Sequence, residues 1–198
     1  WGEFGRLLRT RVGYEGRVVS FEPMRSSFER LQATAAGDAQ WRTYPVALGE
    51  ESGAAQLRVF RNTELNSLLS TSGYGGKEFG SEFDLESMES VEVRTIDEII
   101  REHIADLNPA RIFLKVDTQG YDQHVIAGAL RSLKHVVAIQ TELAVGHLYE
   151  NAPTLPDALA RLKELGFEPT GFFPITLEGD GVHVFEFDCV LARKPIPE

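Results

Sequence analysis

The chain has 198 residues, of which 42% are hydrophobic and 25% charged, with a net charge of −10. That composition fits one globular domain with a single core, and the acidic balance speaks against a general nucleic-acid or anionic-membrane partner. No apolar run approaches the roughly 18 residues of a membrane helix, and the lone Cys189 and five scattered histidines exclude an intrachain disulfide and structural zinc spacing, which suits a reducing cytoplasm.

From Trp1 the chain runs directly into a helix-like segment over 3–11, with no strand before it and no signal-peptide pattern. Processed or preceding sequence is the expectation, making the single domain over 1–198 N-terminally incomplete. Val18 to Phe21 reads as a strand, and the following SSFERLQATAAG as a helix. Ser26 and Glu29 have capping-box spacing there, and Gly37 supplies the stop. Trp41 to Leu48 is predicted as one strand closed by Gly49, and 55–60 and 90–94 as shorter ones. TIDEIIREH predicts a short helix.

Residues 112–116, IFLKV, are apolar on both faces apart from Lys115, as in a parallel strand covered on both sides. A helix should follow, with Val125, Ile126, Ala129, Leu130 and Leu133 on one stripe. Residues 136–143 predict another buried strand, and Thr154 to Leu165 a helix with Thr154 and Asp157 at capping spacing. Two strands close the chain near 167–173 and 182–192, flanking EGDG. Pro169 suits an edge, since proline cannot donate to a ladder.

Strands alternating with helices imply a Rossmann-like, doubly wound, mostly parallel α/β sheet, with antiparallel character from the final hairpin. Ligands of such sheets sit beyond the carboxyl ends of the strands, and acids fall at three of those ends: Glu22, Asp117 and Glu142. Glu22, before Pro23, can accept both hydroxyls of a ribose, or is simply a solvated carboxylate capping the next helix. Gly2 suits a tight turn that lets backbone approach a ligand, although no GxGxxG occurs.

Asp117 is the sharpest candidate. It can accept a substrate proton, or hold a divalent cation with Glu142, or form only an ion pair with Lys115, which shares its face. His147 and Tyr149 lie close enough in sequence to reach the same crevice, His147 as a base or as an ordinary loop histidine. The segment 61–89 interleaves glycines with Tyr74, Phe79 and Phe83, as a substrate-closing lid or a disordered stretch would. Asn62, Asn66 and Ser67 at its mouth offer neutral groups to a substrate.

The blocks FEP at 21–23, VALG at 46–49, NTELNSLL at 62–69, VRTIDEI at 93–99 and FLKVDTQGYD at 113–122 recur in a known order, with LYENA and FEFDCVLARK after them. Taken together they resemble the FkbM family of S-adenosylmethionine-dependent methyltransferases over nearly the whole chain. The resemblance implies a seven-stranded, mostly parallel sheet whose last strand is antiparallel and whose first strand is missing here. It also implies O-methylation of a hydroxyl on a small molecule, sugar or polyketide. S-adenosylmethionine would then lie against Gly2, with Glu22 and Pro23 at its ribose and Val46, Ala47 and Leu48 near its adenine. Asp117 would stand beside the methyl group and the acceptor. A nicotinamide-dependent oxidoreductase shares the crevice and the ribose acid, and a non-catalytic adenosylmethionine-binding protein would keep Glu22 but lose the acceptor pocket.

Overall fold

The structure, a computed structural model, describes residues 1–103, 111–177 and 181–193. It opens with α1 (Glu3–Leu7), which continues as one π-helical turn over Leu8–Val12. Gly2 caps α1 with φ at 72°, and a Cβ there would come within 3.1 Å of Leu31. Only glycine holds that backbone without strain.

The strand β1 (Val18–Phe21) leads through α2 (Arg25–Ala35) to β2 (Trp41–Tyr44), which pairs with it in parallel. Leu31 and Ala35 of α2 bury against Val18 and Trp41, so this unit carries its own small core. The capping box does not form: Met24 is the N-cap and makes no side-chain cap bond, while Glu29 pairs with the exposed Arg25 instead. Nor does the strand predicted over 41–48 survive whole. Pro45 interrupts it, having no N–H to give to a ladder, and β3 (Ala47–Leu48) joins a different sheet.

That sheet has the order β3-β5-β4, with β4 (Gly53–Phe60) antiparallel to β5 (Leu85–Arg94), a longer strand than the 90–94 expected. Between them, the stretch read as a loop contains a 3₁₀ turn at Thr63–Leu65, α3 (Gly73–Phe79) and a second 3₁₀ turn at Gly80–Phe83. Ser72 caps α3 by accepting the Gly75 amide proton at 3.0 Å. Phe83 anchors the stretch, edge-on to Phe60 at 5.2 Å and to Tyr149 at 5.7 Å.

After α4 (Ile96–His103) comes β6 (Ile112–Val116), and α5 (Asp122–Ala127) connects it to the parallel β7 (Val136–Ala144). The helix is shorter than predicted because Gly128 ends it. Leu130 is left exposed, while Val125, Ile126, Ala129 and Leu133 enter the main core. A Cβ on Gly128 would lie 2.0 Å from the Gly49 carbonyl oxygen, so the end of α5 rests directly on the backbone after β3.

The chain then forms α6 (Leu155–Glu164), β8 (Phe167–Leu177) and β9 (Val184–Arg193). Thr154 caps α6 as its spacing predicts, accepting the Asp157 amide proton at 3.3 Å. The order β6-β7-β9-β8 makes β8, with Pro169, an edge strand and places the antiparallel β9 against β7. Of the predicted EGDG turn, residues 178–180 lie outside the described residues.

The fold is therefore mixed α/β, with its described strands hydrogen-bonded as three sheets of two, three and four strands. The four-stranded sheet has two unlike faces. Val116, Ile139, Leu143, Cys189 and Leu191 form the dry face under α5 and α6. The register sets Lys115 beside Gln140, and Glu142 beside Asp188, on the other face. Phe113 on that face is 46% exposed, so β6 is not covered on both sides as its composition suggests. No described helix is long and apolar enough to cross a membrane.

Candidate active site

The carboxyl ends of β6 and β7 bring together two of the three strand-end acids that the sequence singles out, Asp117 and Glu142. Lys115 and Asp117 project to one face, as strand alternation requires, with Lys115 Nζ 2.6 Å from Asp117 Oδ2. The Asp117 side chain is 43% exposed and that of Lys115 22%, so the carboxylate faces the crevice and the ammonium stands behind it. Lys115 also lies over the Phe4 ring, 5.7 Å from its centroid. Burial works to lower the lysine pKa, but the charges of Asp117, Glu142 and Asp188 outweigh it and the net shift is upward.

Gln119, which none of the composition or spacing arguments selects, holds the centre. Its amide nitrogen donates to Glu142 Oε2 at 2.9 Å and lies 3.4 Å from Asp117 Oδ1. Its backbone oxygen accepts the Ser67 hydroxyl proton at 2.8 Å. The residue adopts φ at 52°, a left-handed conformation rare for a side chain of this size, and that outlier is the physical sign of a constrained site. The signal within reach was the pair Gln119-Gly120 directly after the strand, where a turn needs positive φ.

Glu142 is largely enclosed beside Asp117, Asp122 and Glu186. Burial, and then the neighbouring negative charges, push its carboxyl up to about 9. Burial likewise raises Asp122 to about 7, even though its Oδ1 accepts the Thr141 hydroxyl proton at 3.2 Å. Near neutral pH Glu142 is consequently a proton-bearing group, whereas Asp117 keeps its lysine partner. Tyr149 is buried, and its one hydroxyl proton is shared between the Leu65 carbonyl oxygen at 2.8 Å and Gln119 Oε1 at 3.1 Å. Burial and the surrounding acids hold that phenol well above its ordinary range, so it is a neutral donor.

The other candidates divide. Glu22 follows β1, where its Oε1 accepts the Met24 amide proton at 3.0 Å, and burial raises its pKa. Asn66 joins this corner to the lid segment: its amide donates to the Met24 sulfur at 3.3 Å and its oxygen accepts the Phe60 amide proton. Ser67 is 1% exposed and bound to Gln119, so it braces the site and is closed to a substrate. Asn62 is spent elsewhere, capping a 3₁₀ turn through Glu64 and donating to Glu82, and does not face the crevice. Val46 and Ala47 are buried, Ala47 within the core of the β3-β5-β4 sheet, and Leu48 is half-buried against the main core. Pro23 is half-buried between Glu22 and Met24.

His147 stands exposed at the rim of a cavity of about 40 Å³, lined also by Asp122, Gln123, Glu142, Tyr149 and Glu186. Its carbonyl oxygen accepts the Ser72 hydroxyl proton, which ties the start of α3 to the site. Among the described residues no group of three histidine, cysteine or acidic side chains is arranged to hold a metal ion, so Asp117 and Glu142 meet through the Gln119 amide.

Residues 2–169 match the family described as "Methyltransferase FkbM domain". A crystal structure of Methyltransferase FkbM from Methylobacillus flagellatus KT superposes with a TM-score of 0.51 at 15% sequence identity. That alignment covers 96% of this chain and 40% of the other, so the likeness is one of fold, to well under half of a longer protein. None of the curated proteins matches the chain.

Proposed function

The chain belongs to the FkbM methyltransferase family, and from that premise we propose that it moves a methyl group from S-adenosylmethionine to a hydroxyl oxygen of a small molecule, sugar or polyketide. The observation that carries this reading is Asp117: a carboxylate at the carboxyl end of β6, open to the crevice, with a lysine fixed behind it. Bound S-adenosylmethionine would supply an electrophilic methyl on its sulfonium. The chain's task is then to align an acceptor oxygen with that methyl and to remove its proton.

Asp117 is suited to take the proton. Glu142 is not, because it still carries its own near pH 7. Tyr149 and Gln119 hold the two carboxyl groups apart without adding charge. Residues on the other bank fit the cofactor: Gly2 presents bare backbone where a Cβ would crowd Leu31, and Glu22 offers a carboxylate after β1 for a ribose. The half-buried Pro23 and Leu48 are proposed as apolar contacts for an adenine, with the buried Val46 and Ala47 supporting them from behind. In the seven-stranded form of the fold, one more parallel strand would join the β1–β2 pair to β6. The buried thiol of Cys189 is in keeping with a cytoplasmic setting.

Calorimetric titration with S-adenosylmethionine, S-adenosylhomocysteine and NAD tests the reading. Micromolar binding of the first two and none of NAD is expected. NAD binding would favour the oxidoreductase. Binding of adenosylmethionine without methyl transfer to any of a panel of alcohols would leave a binding protein.

A further inference from the structure

The cavity beside the crevice wraps the carboxyl end of β7, and its polar wall is unfinished. Asp122 is 4% exposed and Gln123 5%, yet Asp122 Oδ2 makes no well-aligned hydrogen bond, with the Thr118 hydroxyl near its carboxylate, and both amide atoms of Gln123 have no partner. Buried polar atoms are ordinarily satisfied, so such atoms on adjacent residues beside one cavity point to a missing occupant. Glu142 and Glu186 line the same space, and burial raises the pKa of both. Lys115, whose charge acts on Glu142, is committed to Asp117. Among the described lining residues His147 is the one basic side chain, and it sits exposed at the rim.

We propose that this cavity receives a protonated amine carried by the acceptor, so that the substrate class is an amino alcohol or amino sugar and not a neutral polyol. The word acceptor rests on the function proposed above; the cation site itself does not. An ammonium is water-sized, as a cavity of about 40 Å³ requires, and its three donors suit Asp122 Oδ2, Gln123 Oε1 and a carboxylate of Glu142 or Glu186. A cation there also relieves the mutual repulsion of the acids. The titratable groups that line it are Asp122 from α5, Glu142 from β7, Glu186 from β9, and Tyr149 and His147 from the segment after β7, with Asp117 and Lys115 at the end of β6 acting on them through their charges. Because the cation competes with protons for these carboxylates, binding should tighten as pH rises through 7.

The test compares 2-aminoethanol with 1,2-ethanediol by saturation-transfer NMR at pH 6 and pH 8, with and without S-adenosylmethionine. The expected result is binding of the amine alone, about five-fold or more tighter at pH 8, and undiminished by S-adenosylmethionine. Asp122→Asn should weaken it about ten-fold at pH 8 and flatten its pH dependence, with Glu186→Gln as the second variant should the first fail to fold. Equal binding of amine and diol, pH-independent binding, or displacement by S-adenosylmethionine would each overturn the proposal. If S-adenosylmethionine binds but the amine does not, only this inference falls. Failure of S-adenosylmethionine to bind sinks the methyl-transfer reading and leaves an amine result standing on its own.

Discussion

The two banks of the crevice are built on opposite principles. The Glu22 side carries little charge: Gly2 at positive φ, Val46 and Ala47 buried beneath it, and one acid with a local amide bond. On the Asp117 side nearly every feature is a charge or an amide, and Gln119 alone touches Asp117, Glu142, Tyr149 and Ser67. The first bank is complete as it stands, since its polar contacts are few: the Met24 amide on Glu22 and the Asn66 amide on the Met24 sulfur. The second is held in tension by several acids around one lysine, and its cavity keeps buried atoms without partners. A site that gathers several buried titratable groups with shifted pKa values is organised for something that arrives, and mutations there should read out in chemistry before stability.

The sharpest break would come at Asp117. Asp117→Asn keeps the shape but cannot take a proton, so turnover should fall by about 10²-fold or more while S-adenosylmethionine affinity holds. Single-turnover rate and melting temperature, measured on the same variant, decide between this and a structural ion pair. In the latter case stability drops, because Lys115 loses its partner, and turnover per folded molecule stays constant.

Next in size is Glu22→Ala on the opposite bank. Loss of charge-assisted bonds to a ribose should cost about 2–3 kcal/mol of cofactor affinity in calorimetry. An unchanged affinity in a folded variant would remove the ribose role and with it the contrast between the banks.

A third expectation concerns pH. The folded pKa values of Asp122 and Glu142, about 7 and about 9, stand above their ordinary values of 3.8 and 4.5. Between those limits the folded chain binds more protons than the unfolded chain, so stability should fall as pH rises. Both groups contribute between about pH 4.5 and 7, and Glu142 alone from 7 to 9, each by at most about 1.4 kcal/mol per pH unit. Denaturant titrations at stepped pH measure this slope, and Glu142→Gln should flatten its upper part. Absence of that slope between pH 4.5 and 9 would show that these acids are ionised in the folded state.

The smallest effect is expected in the segment joining the banks. We propose that α3 and the turn after it act as the cover. Their amides should exchange faster than those of β4 and β5 and slow about ten-fold when cofactor and acceptor bind together. Equal protection with and without ligands would make this segment a fixed wall held by Phe83.

Much of this arrangement was legible in the residues. Strand alternation alone put Lys115 and Asp117 on one face, and the strand pattern put Glu22 directly after β1 and Glu142 near the end of β7. Thr154 was readable because an N-cap depends on three or four adjacent residues. What escaped depended on contacts distant in sequence. Nothing local distinguishes Ser67, which is buried because Gln119 lies over it, from the neighbouring Asn66, whose amide reaches Met24. Gln119 was hidden because its role is a backbone angle with three long-range bonds. The exposed side of Phe113 was invisible because an apolar run shows burial propensity without showing which neighbours arrive. Pro45 was readable and overlooked, since a proline inside a strand pattern already argues for a break.

The contact between Gly128 and Gly49 has a further consequence for how the molecule can adapt. At that point the end of α5, which carries Asp122, rests on the backbone that leaves β3, with no room for even one methyl group between them. The Asp97 amide bonds the Gly128 carbonyl oxygen at 3.0 Å, and the Gly49 amide bonds that of Arg94 at the same distance. The two banks are thus riveted together along one margin. Variants selected for bulkier acceptors should therefore leave this margin untouched.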